Sequence, residues 1–252
     1  MSDYCIKVLN VSKSFHVGTQ DIQVLKNISF NVRNGDLLII FGPSGCGKST
    51  LLHAILGLEP PSSGTITLLD KNIYGLESED ERGEFRKKHI GMVYQQPNWI
   101  KSLNVVENVS FPLLLLGMGN AQAQDKAMQS LKKVQMENWA SYTSSELSSG
   151  QQQRVSLARA MAANPKIIIT DEPTGNLDFE AGQDLMKLLI SLNEEQNKTI
   201  VMVTHDLEYL KFAKSAVRIL DGEVARVYSP KEKDKLLKQV KGKRGIKDKI
   251  EK

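Results

Sequence analysis

The stretch Leu37-Leu38-Ile39-Ile40-Phe41-Gly42-Pro43-Ser44-Gly45-Cys46-Gly47-Lys48-Ser49-Thr50 decides how this chain is read. Five apolar residues predict a buried strand, and the glycine-rich run after it opens the helix-prone segment Lys48–Leu56, stopped by Gly57. Glycines let the backbone curl until several N–H groups converge on phosphate oxygens, and a helix start adds positive potential there. In such a loop Lys48 reaches the β- and γ-phosphates of a nucleotide and the Ser49 hydroxyl binds Mg²⁺. A chance glycine turn is a weak rival, because the whole motif matches between a strand and a helix.

A second buried strand, Lys166–Thr170, delivers Asp171 and Glu172 to its carboxyl end, where α/β sheets bind ligands. Alone, two acidic residues after a strand read as a solvated turn. With a phosphate loop upstream, Asp171 suits Mg²⁺ and Glu172 suits the general base that polarises water. About a hundred residues past the first loop, Leu147-Ser148-Ser149-Gly150-Gln151 leads into the helix former Gln152–Ala163. One triphosphate needs one cradle, so a second helix start built for an anion predicts a nucleotide held between two copies of the chain.

Together these residues resemble the ATP-binding cassette (ABC) ATPase family, over residues 4–228 and in the family's order. The resemblance implies a P-loop NTPase core, a mixed sheet flanked by helices, with an amino-terminal antiparallel β-subdomain and an inserted helical subdomain at about 97–163. It implies ATP and Mg²⁺ as ligands and Leu147–Gln151 as the signature that caps ATP in trans through Ser148 and Gly150. The family's glycine pair here reads Ser149-Gly150; if the first position needs positive φ, serine costs about 1–2 kcal/mol. Gln95 takes the place of the Q-loop glutamine that senses Mg²⁺ and water, and His205 that of the switch histidine on the γ-phosphate. Asn176, Leu177 and Asp178 match the D-loop, although Asp178 is also a plain helix cap. Phe15 sits where the family stacks an aromatic on adenine, with a buried strand phenylalanine as its rival. Cys46, beside Lys48 at a helix start, predicts a reactive thiol protected by bound ATP.

The resemblance further implies a second ATPase subunit, with a homodimer favoured, and an integral-membrane permease. The apolar segment 99–118 after Gln95 is a candidate docking face, its rival being ordinary subdomain core. The wording Asp171-Glu172-Pro173-Thr174-Gly175-Asn176-Leu177-Asp178 and the Glu107-Asn108-Val109 to Pro112-Leu113 stretch are most similar to the exporter branch, which handles lipoproteins, peptides or macrolides, or transmits force without moving cargo. A soluble ABC ATPase acting on ribosomes or nucleic acid stays as the alternative.

Around these motifs the chain predicts strands at Ile6–Val11, Ile28–Val32, Thr65–Leu69, Gly91–Tyr94, Ile200–Val203 and Ala216–Leu220. A helical section spans Val105 to about Met136, and helices follow Asp178 and Asp206. Asp221-Gly222 is a hairpin signal, and there is no internal repeat. Composition, with 40% hydrophobic and 25% charged residues, is that of a globular protein. The longest apolar run near the middle, Leu113–Leu116, is far short of the ~20 residues of a spanning helix. Without a secretory pattern, and with Cys5 and Cys46 too few for a disulfide framework, the expected location is cytoplasmic, peripheral on the membrane through the permease. Charge is uneven: residues 231–252 hold ten Lys/Arg against four Asp/Glu, leaving 23 against 25 in residues 1–230. The expected layout is an ATP-binding domain over 1–230 and a basic tail over 231–252, either a solvated, partly helical extension or a contact for anionic lipid or RNA. No specific nucleic acid is expected.

Overall fold

The computed structural model describes residues 3–233. In chain order the strands are β1 (Tyr4–Val17), β2 (Gln20–Arg33), β3 (Leu37–Phe41), β4 (Ser63–Leu68), β5 (Lys71–Asn72), β6 (Ile90–Val93), β7 (Ile167–Asp171), β8 (Thr199–Thr204), β9 (Ser215–Leu220) and β10 (Glu223–Tyr228). The helices are α1 (Lys48–Ile55), α2 (Glu79–His89), α3 (Val105–Leu115), α4 (Asn120–Lys133), α5 (Ser149–Met161) and α6 (Phe179–Gln196). β2-β1-β4-β5 form an antiparallel sheet, and β10-β9-β3-β8-β7-β6 form a second, parallel except for β10.

The second sheet is apolar on both faces, as a parallel sheet covered on two sides must be. Period-two alternation assigns its residues. Leu37, Ile39, Phe41, Ile168, Ile200 and Met202 join one core, shared with α3–α6. Leu38, Ile40, Ile167, Ile169, Val201 and Val203 join the other, under α1 and the antiparallel sheet. The inserted helices therefore have no separate core of their own; their buried residues continue the core of the sheet.

Several expectations change at the level of the elements. β1 and β2 extend well beyond Ile6–Val11 and Ile28–Val32, as one long hairpin with several register shifts. The surface helix α2 escapes apolar periodicity, since only Phe85 on it is buried; a Ser78 cap, acidic first turn and basic last turn hold it instead. The helical section divides at Leu116–Gly119, where Gly117 turns with φ 81°. No α-helix follows Asp206: Leu207–Phe212 is a 3₁₀ segment capped by Asp206. Asp221 (φ 49°) and Gly222 (φ 81°) make the expected hairpin between β9 and β10. Lys233 is buried and donates to the Ala213 carbonyl, so it packs against the body. The rest of the basic tail, with its lipid-contact reading, lies outside the described residues.

Gly91 lets α5 lie directly on β6, because a Cβ there would stand 2.2 Å from the backbone oxygen of Ala160. Gly91→Ala is therefore expected to cost about 1–3 kcal/mol through overpacking. Urea melts followed by circular dichroism would read this as a lower midpoint at unchanged slope.

Candidate functional site

Strand register places the chemistry. Phe41 pairs with Thr204, Asp171 with Val203 and Val93 with Thr170. The loops after β3, β7, β8 and β6 thus leave one sheet edge together, carrying Gly42–Thr50, Glu172, His205 and Gln95.

Gly45 (φ 77°) and Gly47 (φ 97°) take left-handed turns that curl the phosphate loop, and Gly47 caps α1. The Gly47 site also touches the antiparallel sheet: a Cβ there would meet the Val24 carbonyl at 2.9 Å. Lys48 is buried, its Nζ held by the carbonyls of Gly42 (3.0 Å) and Pro43 (2.8 Å). Pro43, Ser44 and Ser49 are exposed and Thr50 is half-buried. Cys46 is buried in the apolar core with Lys48 Nζ 4.0 Å from its Sγ, so the expected Lys48 neighbour is present but a reagent has little access to the thiol.

The Ser49 hydroxyl lies close enough to Asp171 to favour its charged form. Burial pushes the Asp171 carboxyl up, the neighbouring Glu172 charge adds to this, and His53, Lys48 and Ser49 oppose it. Asp171 Oδ1 is buried with no hydrogen-bond partner. An orphaned carboxylate oxygen beside a hydroxyl is a donor set of the kind a hard cation takes, so these residues fit Mg²⁺. Glu172 holds φ 45°, costly for a residue with a side chain, with its N–H bonded to the Val203 carbonyl at 2.9 Å. Its Oε2 meets His205 Nδ1 at 2.6 Å.

Gln95 is exposed, its Nε2 3.5 Å from Asn176 Oδ1. Leu177 packs against the core, and Asp178 caps α6 by accepting from the Ala181 N–H. Phe15 lies on the outer part of the β1–β2 hairpin, half-buried, opposite Ile22, with Lys13 Nζ 4.9 Å from its ring centre. It is not the buried core phenylalanine of the rival reading.

Ser148-Ser149-Gly150-Gln151 form a helix start that begins before Gln152. Ser148 caps α5 in a capping box with Gln151, and Leu147 is buried behind it. Ser149 is the first helical residue and is absent from the left-handed set, so the conditional strain at this position does not arise. The hydrogen bonds of Ser148 and Gln151 close on each other rather than on the phosphate loop of the same chain.

Among the buried amides that escaped the sequence reading, two hold the segments around Gln95 and α3. Asn108 folds the loop before α3 by bonding the backbone of Ile100, Leu103 and Asn104. Gln153 bonds the carbonyls of Tyr94 and Gln95. The only signal for the latter was the Gln151-Gln152-Gln153 run itself.

Comparison with known proteins agrees with this geometry. The model of the family described as ABC transporter matches residues 25–175. An uncharacterised ABC transporter ATP-binding protein of Methanocaldococcus jannaschii, MJ0796, is 41% identical over 225 residues, 88% of this chain and 95% of the relative. The lipoprotein-releasing system ATP-binding protein LolD of Legionella pneumophila is 39% identical over 206 residues, 82% of this chain and 90% of its own. A dimeric structure of MJ0796 in a post-hydrolysis state, bound to ADP and Pi, superposes with a TM-score of 0.83 at 39% identity, covering 89% of this chain and 98% of that one. This chain belongs to the ABC transporter family, as an ATP-binding cassette that hydrolyses ATP.

Proposed function

We propose that two copies of this chain close head to tail around two ATP molecules and thereby drive a separate membrane permease. The observation that carries the reading is the capped start of α5. Ser148 and Ser149 are exposed, Gly150 is half-buried, and the cap's own hydrogen bonds close between Ser148 and Gln151, with none to this chain's phosphate loop. A second copy supplies what that helix start would meet. The dimeric structures of MJ0796 support this arrangement.

In each site Gly42–Thr50 wrap the phosphates, Lys48 exchanges its carbonyl partners for phosphate oxygens, and Phe15 stacks on the adenine. Ser49, Asp171 and the Gln95 amide oxygen would hold Mg²⁺, which would supply positive charge against that developing on the phosphate. Glu172 takes a proton from water as its oxygen attacks the γ-phosphorus, and the bond to the bridging oxygen breaks. His205 orients the Glu172 carboxylate and faces the γ-phosphate. Ser148 and Gly150 of the other copy close the site, with Asn176–Asp178 along the seam. Because the γ-phosphate contacts exist only in the closed pair, ATP favours closure and hydrolysis releases it.

The permease is assigned to a groove of about 520 Å³ between β6, α3 and α5, lined by Tyr94, Ile100, Phe111, Leu115 and Arg159. Segment 99–118 divides by face: Val105, Val109 and Leu113 are core, while Phe111, Leu114, Leu115 and Leu116 stay exposed. Contiguous exposed apolar residues beside a polar loop mark a docking surface. No helix among the described residues is long and apolar enough to cross a membrane. The match to the family described as ABC transporter supports peripheral attachment on the cytoplasmic face through the permease. LolD supports the export or lipoprotein-handling branch.

Glu172→Gln is expected to lower kcat by about 10²–10⁴-fold while ATP–Mg²⁺ converts the protein from monomer to dimer. Light scattering on a sizing column checks this; a variant that binds ATP and stays monomeric counts against the two-copy site. A second expectation concerns docking. Phe111→Asp with Leu115→Asp leaves ATP hydrolysis by the isolated chain unchanged but moves the protein out of the membrane fraction of its host cells. Retention there, read by immunoblot after flotation, places the permease elsewhere.

A further inference from the structure

Gln153 sits on the second turn of α5, just past the helix start that meets ATP, and is only 2% exposed. Its Nε2 donates to the Tyr94 carbonyl at 2.9 Å and the Gln95 carbonyl at 2.7 Å, while its Oε1 is buried without a partner. An unpaired buried amide oxygen is costly, a penalty that a purely space-filling side chain would not carry. What the glutamine supplies is the pair of bonds to the segment that follows β6.

Its neighbours act in the same direction. Trp99 Nε1 donates to Gln152 Oε1 at 3.2 Å, and Arg159 Nη1 donates to the Asn98 carbonyl at 2.7 Å. α5 therefore holds the whole stretch from Tyr94 to Trp99. On the far side of that stretch, the Gln95 side chain reaches the loop after β7. Its Nε2 lies 3.5 Å from Asn176 Oδ1 and 2.8 Å from where a Cβ on Gly175 would stand. The Gly175 N–H then donates to the Glu172 carbonyl at 3.0 Å.

We infer that Gln153 is a positioning residue that links the two ATP sites of a closed pair. It ties the helix start that meets one ATP to the Gln95–Asn176–Glu172 group that acts on the other. The inference rests on the two-copy reading above and adds a consequence: contact at the signature in trans sets the catalytic carboxylate in cis. The link is polar and short, so a single side chain can cut it without touching either nucleotide.

The test is a double-mutant cycle on steady-state ATP hydrolysis, with wild type, Gln153→Met, Asn176→Ala and the double variant. Gln153→Met is expected to lower kcat at least about tenfold with KM for ATP–Mg²⁺ held within about twofold. The double variant loses no more than the worse single one, because both cut one chain of contacts. In the Glu172→Gln background, Gln153→Met still dimerises with ATP, a result that loss of fold would not give. Ser156→Ala, which removes a buried unpartnered hydroxyl from the same helix, keeps wild-type kcat. A Gln153→Met kcat within about twofold of wild type, or losses that multiply in the double variant, overturns the link alone. Glu172→Gln protein that never dimerises with Gln153 intact overturns the two-copy reading and the link with it. Should Gln153→Met fail to fold, Asn176→Ala on its exposed loop decides: unchanged kcat there sinks the link.

Discussion

The parallel register of β3 between β8 and β9 is the constraint from which the site follows. Leu37–Phe41 are buried on both faces and locked to Ile200–Thr204 on one side and Ser215–Arg218 on the other. That locking fixes where the phosphate loop leaves the sheet. A slip of one residue would exchange the two cores, because successive side chains point to opposite faces. With β8 fixed, β7 and β6 follow in register, and Glu172, His205 and Gln95 emerge along the same edge. The antiparallel sheet adds a second fixed point, since the Val24 carbonyl meets both the Gly47 turn and the Gly222 turn.

On that rigid frame the chain holds groups that are costly at rest. Asp171 is half-buried with a buried, unpaired oxygen beside a second carboxylate, and Glu172 occupies a left-handed conformation. Burial and like charge both disfavour the ionised Asp171. A divalent cation would reverse both effects, and strain of this kind persists only where the surroundings over-determine it. Here the surroundings are the Val203 carbonyl on the Glu172 N–H and His205 on its carboxylate. The fold supplies the stability and the site spends part of it on geometry.

What the sequence made legible was whatever a local pattern dictates. The apolar runs 37–41 and 167–170, the phosphate loop and the Asp221-Gly222 turn are set by alternation, φ and chain direction alone. The extent of the β1–β2 hairpin was hidden, because its outer half is polar and its register shifts break the alternation. α2 was hidden because charge order and a Ser78 cap, rather than an apolar stripe, hold it. Ser149 looked like a defect when judged against a glycine pair; seen as the first residue of a capped helix, it needs no special φ. Cys46 and Gln153 show the limit most clearly. Which way a thiol turns, or which carbonyl a buried amide reaches, depends on tertiary neighbours that no window of sequence contains.

The distribution of packing also says where motion can pass. The inserted helices share a continuous apolar core with one face of the sheet, and close-packed cores do not deform gradually. Coupling between the helix start of α5 and the catalytic edge therefore has to run through the few contacts that are polar and peripheral to that core. The segment from Tyr94 to Trp99 is the place where such contacts concentrate, between α5 on one side and Asn176 on the other. The groove proposed for the permease opens on the same segment through Tyr94 and Ile100. One short polar strap thus touches α5, the loop after β7 and the groove proposed for the permease. A rigid core around it makes a small displacement of the strap consequential at all three.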